Sequence, residues 1–339
     1  MYRKPTARLI RILVLLLALG ACERRDHLVE QHLLEFGTII QITLITDDLN
    51  RAEGLLQQIE TRLTSFRHQW HAWEESDLTR FNRALAKGEK IDIPRSLQAL
   101  LNLSADFNIR TGGLFNPAMG KLIAAYGFHG RAVDQDLVEK IRQQLPQMTD
   151  LKINGHTAQS LNPHLQIDLG GIAKGYAIGW ISDFLSQNGI EDFVVNAGGD
   201  LAISGNRFGK PWRIGIQNPS APGVIAGISL SGKHSLFTSG NYLRQHWIGK
   251  KQFHHIIDPI SGKPSQGQVS ATVLMSDPVT ADVAATIMMI HGMAQHDILS
   301  QQLDIRDFLL VSDKGELLSS RSMAEKLDFS TNLKVEIVN

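Results

Sequence analysis

Gln166-Ile-Asp-Leu-Gly-Gly-Ile-Ala-Lys-Gly-Tyr-Ala177 reads as a short apolar strand, a glycine-forced turn and the first turn of a helix. The helix continues to about Asn188 on the face formed by Ala173, Tyr176, Ala177, Trp180, Ile181, Phe184 and Leu185, and Gly189 is its expected stop. Asp168 and Lys174 sit where the turn would face a ligand. Glycine pairs at such turns let a ligand approach backbone closely, and free N–H groups at a helix start favour anions. Taken alone, Gly170-Gly171 is more often a tight structural turn.

Downstream, Phe193–Val195 reads as a buried strand leading into Asn196-Ala-Gly-Gly-Asp200, and Trp212–Ile216 as another. Ser235–Tyr242 ends a strand, Phe253–Pro259 forms a return, and Ile260–Pro264 is a turn. Ala271–Leu274 is a strand. Thr280 is placed to cap a helix over Ala281–Ile290, with Gly292 as its stop, and Phe308–Val311 begins a hairpin that runs through Gly315. Upstream, Ile40–Leu44 alternates like a half-buried strand. A helix capped by Asp47 or Asp48 carries Ala52, Leu55, Leu56, Ile59 and Leu63 at helical spacing. Phe66–Asn82 reads as loop-like, with Trp70, Trp73 and Phe81 as core anchors or a lid over a planar ligand. Leu97–Ile109 is amphipathic and stops at Gly112-Gly113, whereas residues 131–159 read as helix and loop without chemical signal. Strands clustered in twos and threes among long helices predict an α+β fold rather than strict βαβ alternation.

At the N-terminus, Arg3, Lys4, Arg8 and Arg11 precede the apolar run Ile12–Leu19, which predicts a secretory signal over residues 1–21. Leu19-Gly-Ala-Cys22 resembles a bacterial lipobox, making Cys22 the expected lipid attachment point. Cys22 is the only cysteine in the 339 residues, so no intramolecular disulfide can form. More than one acyl chain there would anchor stably. Residues 22–33 read as a charged tether and residues 34–339 as one large domain. Lys+Arg and Asp+Glu both number 34, and no basic stripe interleaved with aromatics is present, which argues against a nucleic-acid partner.

No phosphate loop of the Gly-x-x-x-x-Gly-Lys-Ser/Thr type, no Gly-x-Gly-x-x-Gly after a strand, no Gly-x-Ser-x-Gly and no His-Glu-x-x-His occurs. Asp282 and Thr286, spaced i, i+4, offer hard oxygen ligands suited to Mg²⁺; the bland alternative is an exposed first-turn acid beside a back-bonded threonine. His254 and His255 point to opposite faces of a strand, so at most one reaches a given site; His255 could act as a base near neutral pH.

Together these stretches resemble the ApbE family, the FAD:protein FMN transferases. The resemblance rests on Ser76–Asn82, Gly113–Pro117, Asp168–Tyr176, Asn196–Asp200, Thr238–Tyr242, His255–Pro259 with Gly262 and Pro264, and Ala281–Thr286, all in the family's order. It implies a T-fold-like single large domain of mixed and antiparallel sheets with flanking helices. It also implies Mg²⁺-dependent transfer of FMN from FAD to a threonine or serine of a partner, with release of AMP. The partners it implies are flavin-carrying subunits of membrane redox pumps of the Rnf or Na⁺-translocating NADH:quinone oxidoreductase type, met by a lipid-anchored protein on the periplasmic side of the inner membrane. On this resemblance Asp282 and Thr286 correspond to metal ligands, and Gly171 to a third that could offer only its carbonyl. Phe36, Leu114, Phe115, Asn116, Asp168, Lys174 and Ile256 correspond to FAD contacts. Trp73 replaces a tyrosine that packs on the flavin, and Asn116 stands where the family commonly has aspartate. A threonine nucleophile needs a base, for which His255 and Asp258 are the candidates. The alternatives are an FAD pyrophosphatase and a non-catalytic flavin-binding lipoprotein.

Overall fold

The computed structural model describes residues 26–128, 132–241, 245–248, 251–330 and 333–339. The predicted signal segment, Cys22 and Tyr242 lie outside the described residues.

Alternating apolar residues build a sheet that buries both faces. Its nine strands run in the order β1 (His27–Glu35), β2 (Thr38–Thr46), β6 (Phe193–Ala197), β7 (Asp200–Ser204), β10 (His234–Gly240), β15 (Gln268–Met275), β16 (Asp307–Ser312), β17 (Leu317–Ser320) and β19 (Val335–Val338). Every neighbouring pair is antiparallel except β17 with β19. Ile40, Ile42, Leu44, Val195, Ala202, Phe237 and Val273 enter the main core on one face. Their neighbours Val194, Leu201, Ile203, Leu236 and Leu274 enter a second core on the other.

Helices cover the first face. They include α1 (Leu49–Trp70), α2 (Asp77–Ala86), α3 (Arg95–Arg110), α6 (Ala173–Gln187) and α7 (Pro278–Leu303). A three-stranded sheet of β18 (Leu327–Phe329), β9 (Val224–Leu230) and β8 (Trp212–Gln217) covers the second. A third, smaller core joins α4 (Gly120–Ala125) and α5 (Gln135–Gln143) to Ile257. Short pairings complete the chain: β3 (Ile91–Asp92) and β4 (Leu151–Asn154) flank β5 (Thr157–Ser160), β11 (Gln245–Ile248) pairs with β12 (Lys251–His254), and β13 (Ile257–Asp258) pairs with β14 (Lys263–Pro264). Helix α8 (Arg321–Lys326) lies between β17 and β18. No helix among the described residues is long and apolar enough to cross a membrane.

The predicted α+β class, with a mostly antiparallel sheet and flanking helices, matches this architecture. Five local expectations do not hold. Residues 131–159 are not helix and loop alone, because β4 and most of β5 pair within that stretch. Residues 27–33 are not tether: they belong to β1, paired with β2 in nine-residue register, because Val29 and Leu33 pack on the main core. Phe66 and Trp70 are not in a loop but on the buried face of α1, stacked at 4.0 Å. After a short break Ser76 opens α2 with a reciprocal capping box to Thr79. The stretch before Gly170 is extended but makes only one isolated bridge, Gln166 to Met119. Finally, α7 begins earlier, capped by Asp277 rather than Thr280, and runs past Gly292 to Leu303. A Cβ at Gly292 would stand 2.8 Å from Leu310, so this glycine serves packing rather than termination. The helix bends at Gln295 because the Gln268 amide is wedged into it, donating to the Met288 carbonyl at 2.6 Å and accepting from the Met293 N–H at 2.8 Å.

Candidate functional site

The site forms where the start of α6 meets the start of α7 at one end of the large sheet. Asn82, from α2, holds the approach to the glycine turn. Its amide donates to the Ile167 carbonyl and accepts the Ile167 N–H, both at 2.8 Å, supplying the partner that a neighbouring strand would otherwise provide. The Asp168 carboxylate accepts the Gly170 N–H at 2.7 Å, which closes the turn into α6.

Glycine lets α6 and α7 touch. A Cβ at Gly175 would lie 2.6 Å from the Pro278 carbonyl oxygen and 2.8 Å from the Asp282 Cβ. At that contact the Gly175 N–H donates to Asp282 Oδ2 at 2.8 Å. Lys174, one residue earlier, pairs with Asp200, whose other oxygen accepts the Thr238 N–H at 3.0 Å. Asp200 and Asp282 are 3% and 5% exposed, so the bland alternative of a solvated first-turn acid does not apply to Asp282. Burial pushes the Asp282 carboxyl up to about 7, helped by the charge on Asp200 and opposed by Lys174 and the Gly175 N–H.

This donor set fits a hard divalent cation. Thr286 spends its hydroxyl hydrogen on the Asp282 carbonyl at 3.0 Å, which leaves oxygen lone pairs for another partner. Gly171 is close by: a Cβ there would lie 3.7 Å from Thr286 Oγ1 and 3.2 Å from the Phe115 ring. Once Asp282 has lost its proton, two buried carboxylates face one ammonium, which leaves an excess of negative charge. No group of three or more His, Cys, Asp or Glu stands together among the described residues. Mg²⁺ commonly takes one or two carboxylates and completes its shell from phosphate and water, so the set is sufficient.

The remaining expected residues divide into two groups. Phe36, at positive φ in the β1–β2 turn, lies 6.3 Å from Trp70, which meets Tyr176 of α6 edge-on at 5.5 Å. Trp73 is half-buried just beyond α1, its N–H directed to His71 Nδ1. Leu114 and Phe115 are buried, and Phe115 reaches Gly171. Asn116 ties its own loop, donating to the Pro146 carbonyl at 2.9 Å and accepting the Ala118 N–H. Ile256 is buried in the main core.

His255 and Asp258 follow one another closely in the chain but make different contacts. The His255 ring meets Phe128 edge-on at 6.3 Å. The Asp258 carboxylate accepts from the Ile260 and Ser261 N–H groups, from the Ser261 hydroxyl at 2.6 Å and from His291 at 3.3 Å. Burial works to raise its pKa, but Ser261, Ile260 and His291 together hold it below the usual carboxylate range. Asp258 is therefore a turn anchor with both oxygens engaged, which suits a proton acceptor poorly. The sequence by itself gives no role to Asp200, Asn82, Gly175 or His291. For Asp200 the signal was present in the Asn196–Asp200 motif, but only the folded chain shows that it faces Lys174.

The family model described as the ApbE family matches residues 36–309, which include every element of this site. The chain belongs to the ApbE family. It is 34% identical over 298 residues to the FAD:protein FMN transferase of Rhodobacter capsulatus, covering 86% of this chain and 57% of that protein, so it spans little more than half of that relative's length. It is 30% identical over 292 residues to the FAD:protein FMN transferase of Vibrio cholerae, covering 82% of this chain and 85% of the other. Among solved ApbE structures, the Thermotoga maritima protein superposes with a TM-score of 0.80 at 25% identity, covering 88% of this chain and 99% of that one. The flavin transferase ApbE from Vibrio cholerae superposes with a TM-score of 0.74 at 27% identity, covering 89% and 100%.

Proposed function

We propose that the protein is an FAD:protein FMN transferase, joining FMN to a threonine or serine hydroxyl of a partner protein. The observation that carries this reading is the buried Asp282–Gly175–Lys174–Asp200 constellation at the start of α6, in a chain of the ApbE family. Asp282, Thr286 and the Gly171 carbonyl would hold Mg²⁺. When bound, that ion neutralises charge on the pyrophosphate as the phosphoryl group transfers.

The chain's own residues supply the rest. The Lys174 ammonium, at the positive end of the α6 dipole, receives phosphate oxygens. Phe36 and Trp73 offer aromatic faces to the flavin, while Leu114, Phe115, Asn116, Asp168 and Ile256 line the rest of the FAD path. The acceptor hydroxyl oxygen forms a bond to the FMN phosphorus, the bond to the bridging pyrophosphate oxygen breaks, and AMP departs with that electron pair. We assign the hydroxyl proton to His255 rather than to Asp258, because both Asp258 oxygens already accept hydrogen bonds. The partner is a flavin-carrying subunit of a membrane redox complex of the Rnf or Na⁺-translocating NADH:quinone oxidoreductase type. Cys22 lipidation would keep the enzyme on the periplasmic side of the inner membrane; mass spectrometry of the membrane fraction tests this through the acylated N-terminal peptide.

One incubation tests the activity. Protein, FAD, Mg²⁺ and such a subunit are combined, and the subunit is weighed. An FMN mass increment supports transfer. Free FMN and AMP without the increment would make the protein a pyrophosphatase, and intact FAD would make it a flavin binder. Asp282→Ala should reduce transfer at least about a hundredfold, the scale of removing one charge-stabilising group, while retaining part of FAD binding. Wild-type rates in that variant at saturating Mg²⁺ would overturn the metal assignment.

A further inference from the structure

A cavity of about 290 Å³ opens at the same end of the large sheet, on the face away from the helices. Five successive residues, Arg213 to Gln217, form one wall. Side chains of a strand alternate between its faces, so five residues in a row border one space only along the backbone edge. That edge belongs to β8, which pairs with β9 and with no other strand among the described residues. The opposite wall is the β6–β7 turn at Gly198 and Gly199, with Leu236 and Thr238 of β10. The space is therefore a slot beside an unpaired strand edge.

The slot lies across the end of the sheet from the candidate site and is joined to it by a chain of bonds. Thr238, on its wall, donates its N–H to Asp200, and Asp200 pairs with Lys174. Lys174 precedes Gly175, whose N–H holds Asp282. We propose that this slot binds an extended segment of the flavin-accepting protein, the one that bears the hydroxyl, as an added strand on β8. The proposal rests on the transferase reading, because that reaction alone requires a protein chain to lie beside the phosphate. An added strand lies about 4.8 Å from its neighbour and binds mainly through main-chain hydrogen bonds, so it tolerates varied acceptor sequences. The Gly198-Gly199 turn presents no side chain toward such a segment.

Hydrogen exchange provides the test. The probe is a flavin-accepting subunit of a membrane redox complex that gains FMN mass with the wild-type protein. Adding it should slow exchange of the amides from Trp212 to Gln217. Gln217→Trp, at an exposed position beside the slot, should raise the KM for that subunit about tenfold, the scale of one or two lost main-chain hydrogen bonds, with FAD binding unchanged. Transfer that proceeds with unaltered exchange along β8, or with an unaltered KM in the variant, would overturn the proposal. So would protection that grows with the concentration of the protein alone, which would make the occupant a second copy. If no such subunit gains FMN with the wild-type protein, the transferase reading fails, while exchange along β8 in the presence of a subunit that binds still decides the slot.

Discussion

Asp282 carries its carboxyl into a helix that is apolar on nearly every side, between Ala281, Val283, Ala284 and Ala285. The buried carboxyl keeps its proton to about 7, whereas its unfolded value is 3.8. Between those values the native state binds the extra proton, so this group's contribution to stability falls as pH rises, by about 1.4 kcal/mol per unit where the two states differ fully. Asp282→Asn should abolish that slope. Without divalent cation the variant should be more stable than wild type at pH 8 and close to it at pH 4, measured by urea denaturation across that range. Asn82 makes a different residue-level case. Asn82→Ala strips two partners from the buried Ile167 backbone and should cost about 2–6 kcal/mol, taking about 1–3 kcal/mol for each orphaned group; urea denaturation checks it. Asp282 was legible from its spacing to Thr286. The Asn82 bonds were not, because 85 residues separate the partners.

The decisive contact between elements is the α6–α7 crossing at Gly175. Gly175→Ala would push Cβ to within 2.6 Å of the Pro278 carbonyl, which is backbone and cannot swing aside. The expected result is a loss of about 1–3 kcal/mol from overpacking and a weaker Gly175–Asp282 bond, so melting temperature and FMN transfer should fall together. Gly171→Ala is tight only against the Phe115 ring, at 3.2 Å, with Thr286 at ordinary contact distance, and should cost less in the same thermal melt. Helix α6 itself was legible from its apolar face and from Gly189, which takes φ 71° at its end. The end of α7 was not. Gly292 resembles a stop in the chain, yet Gln268 from β15 carries the hydrogen bonding across that point, and a long-range side chain leaves no periodic trace.

Across the whole molecule, β1 forms an outer edge of the large sheet and covers β2 over nine residue pairs. A chain beginning at Asp26 should fold and melt as the full-length protein does. One beginning at Phe36 exposes the β2 edge and should melt lower and aggregate, as light scattering during a thermal ramp would show. The charged residues at 22–30 disguised this strand, because an edge strand with one solvated face carries few apolar positions. By itself, the sequence determined the α+β class, most of the strands of the large sheet, the helix over 173–187 and the acid–threonine pair, since these follow from periodicity, glycine stops and fixed local spacing. Only the tertiary structure decided which groups share a charge environment. It set Lys174 on Asp200, placed the Gly175 N–H on Asp282 and bound Asp258 into its own turn with His291. It also left the β8 edge open beside the same end of the sheet. Such pairings depend on how the α6–α7 packing and the strand order bring distant segments together, and no local pattern in the chain encodes them.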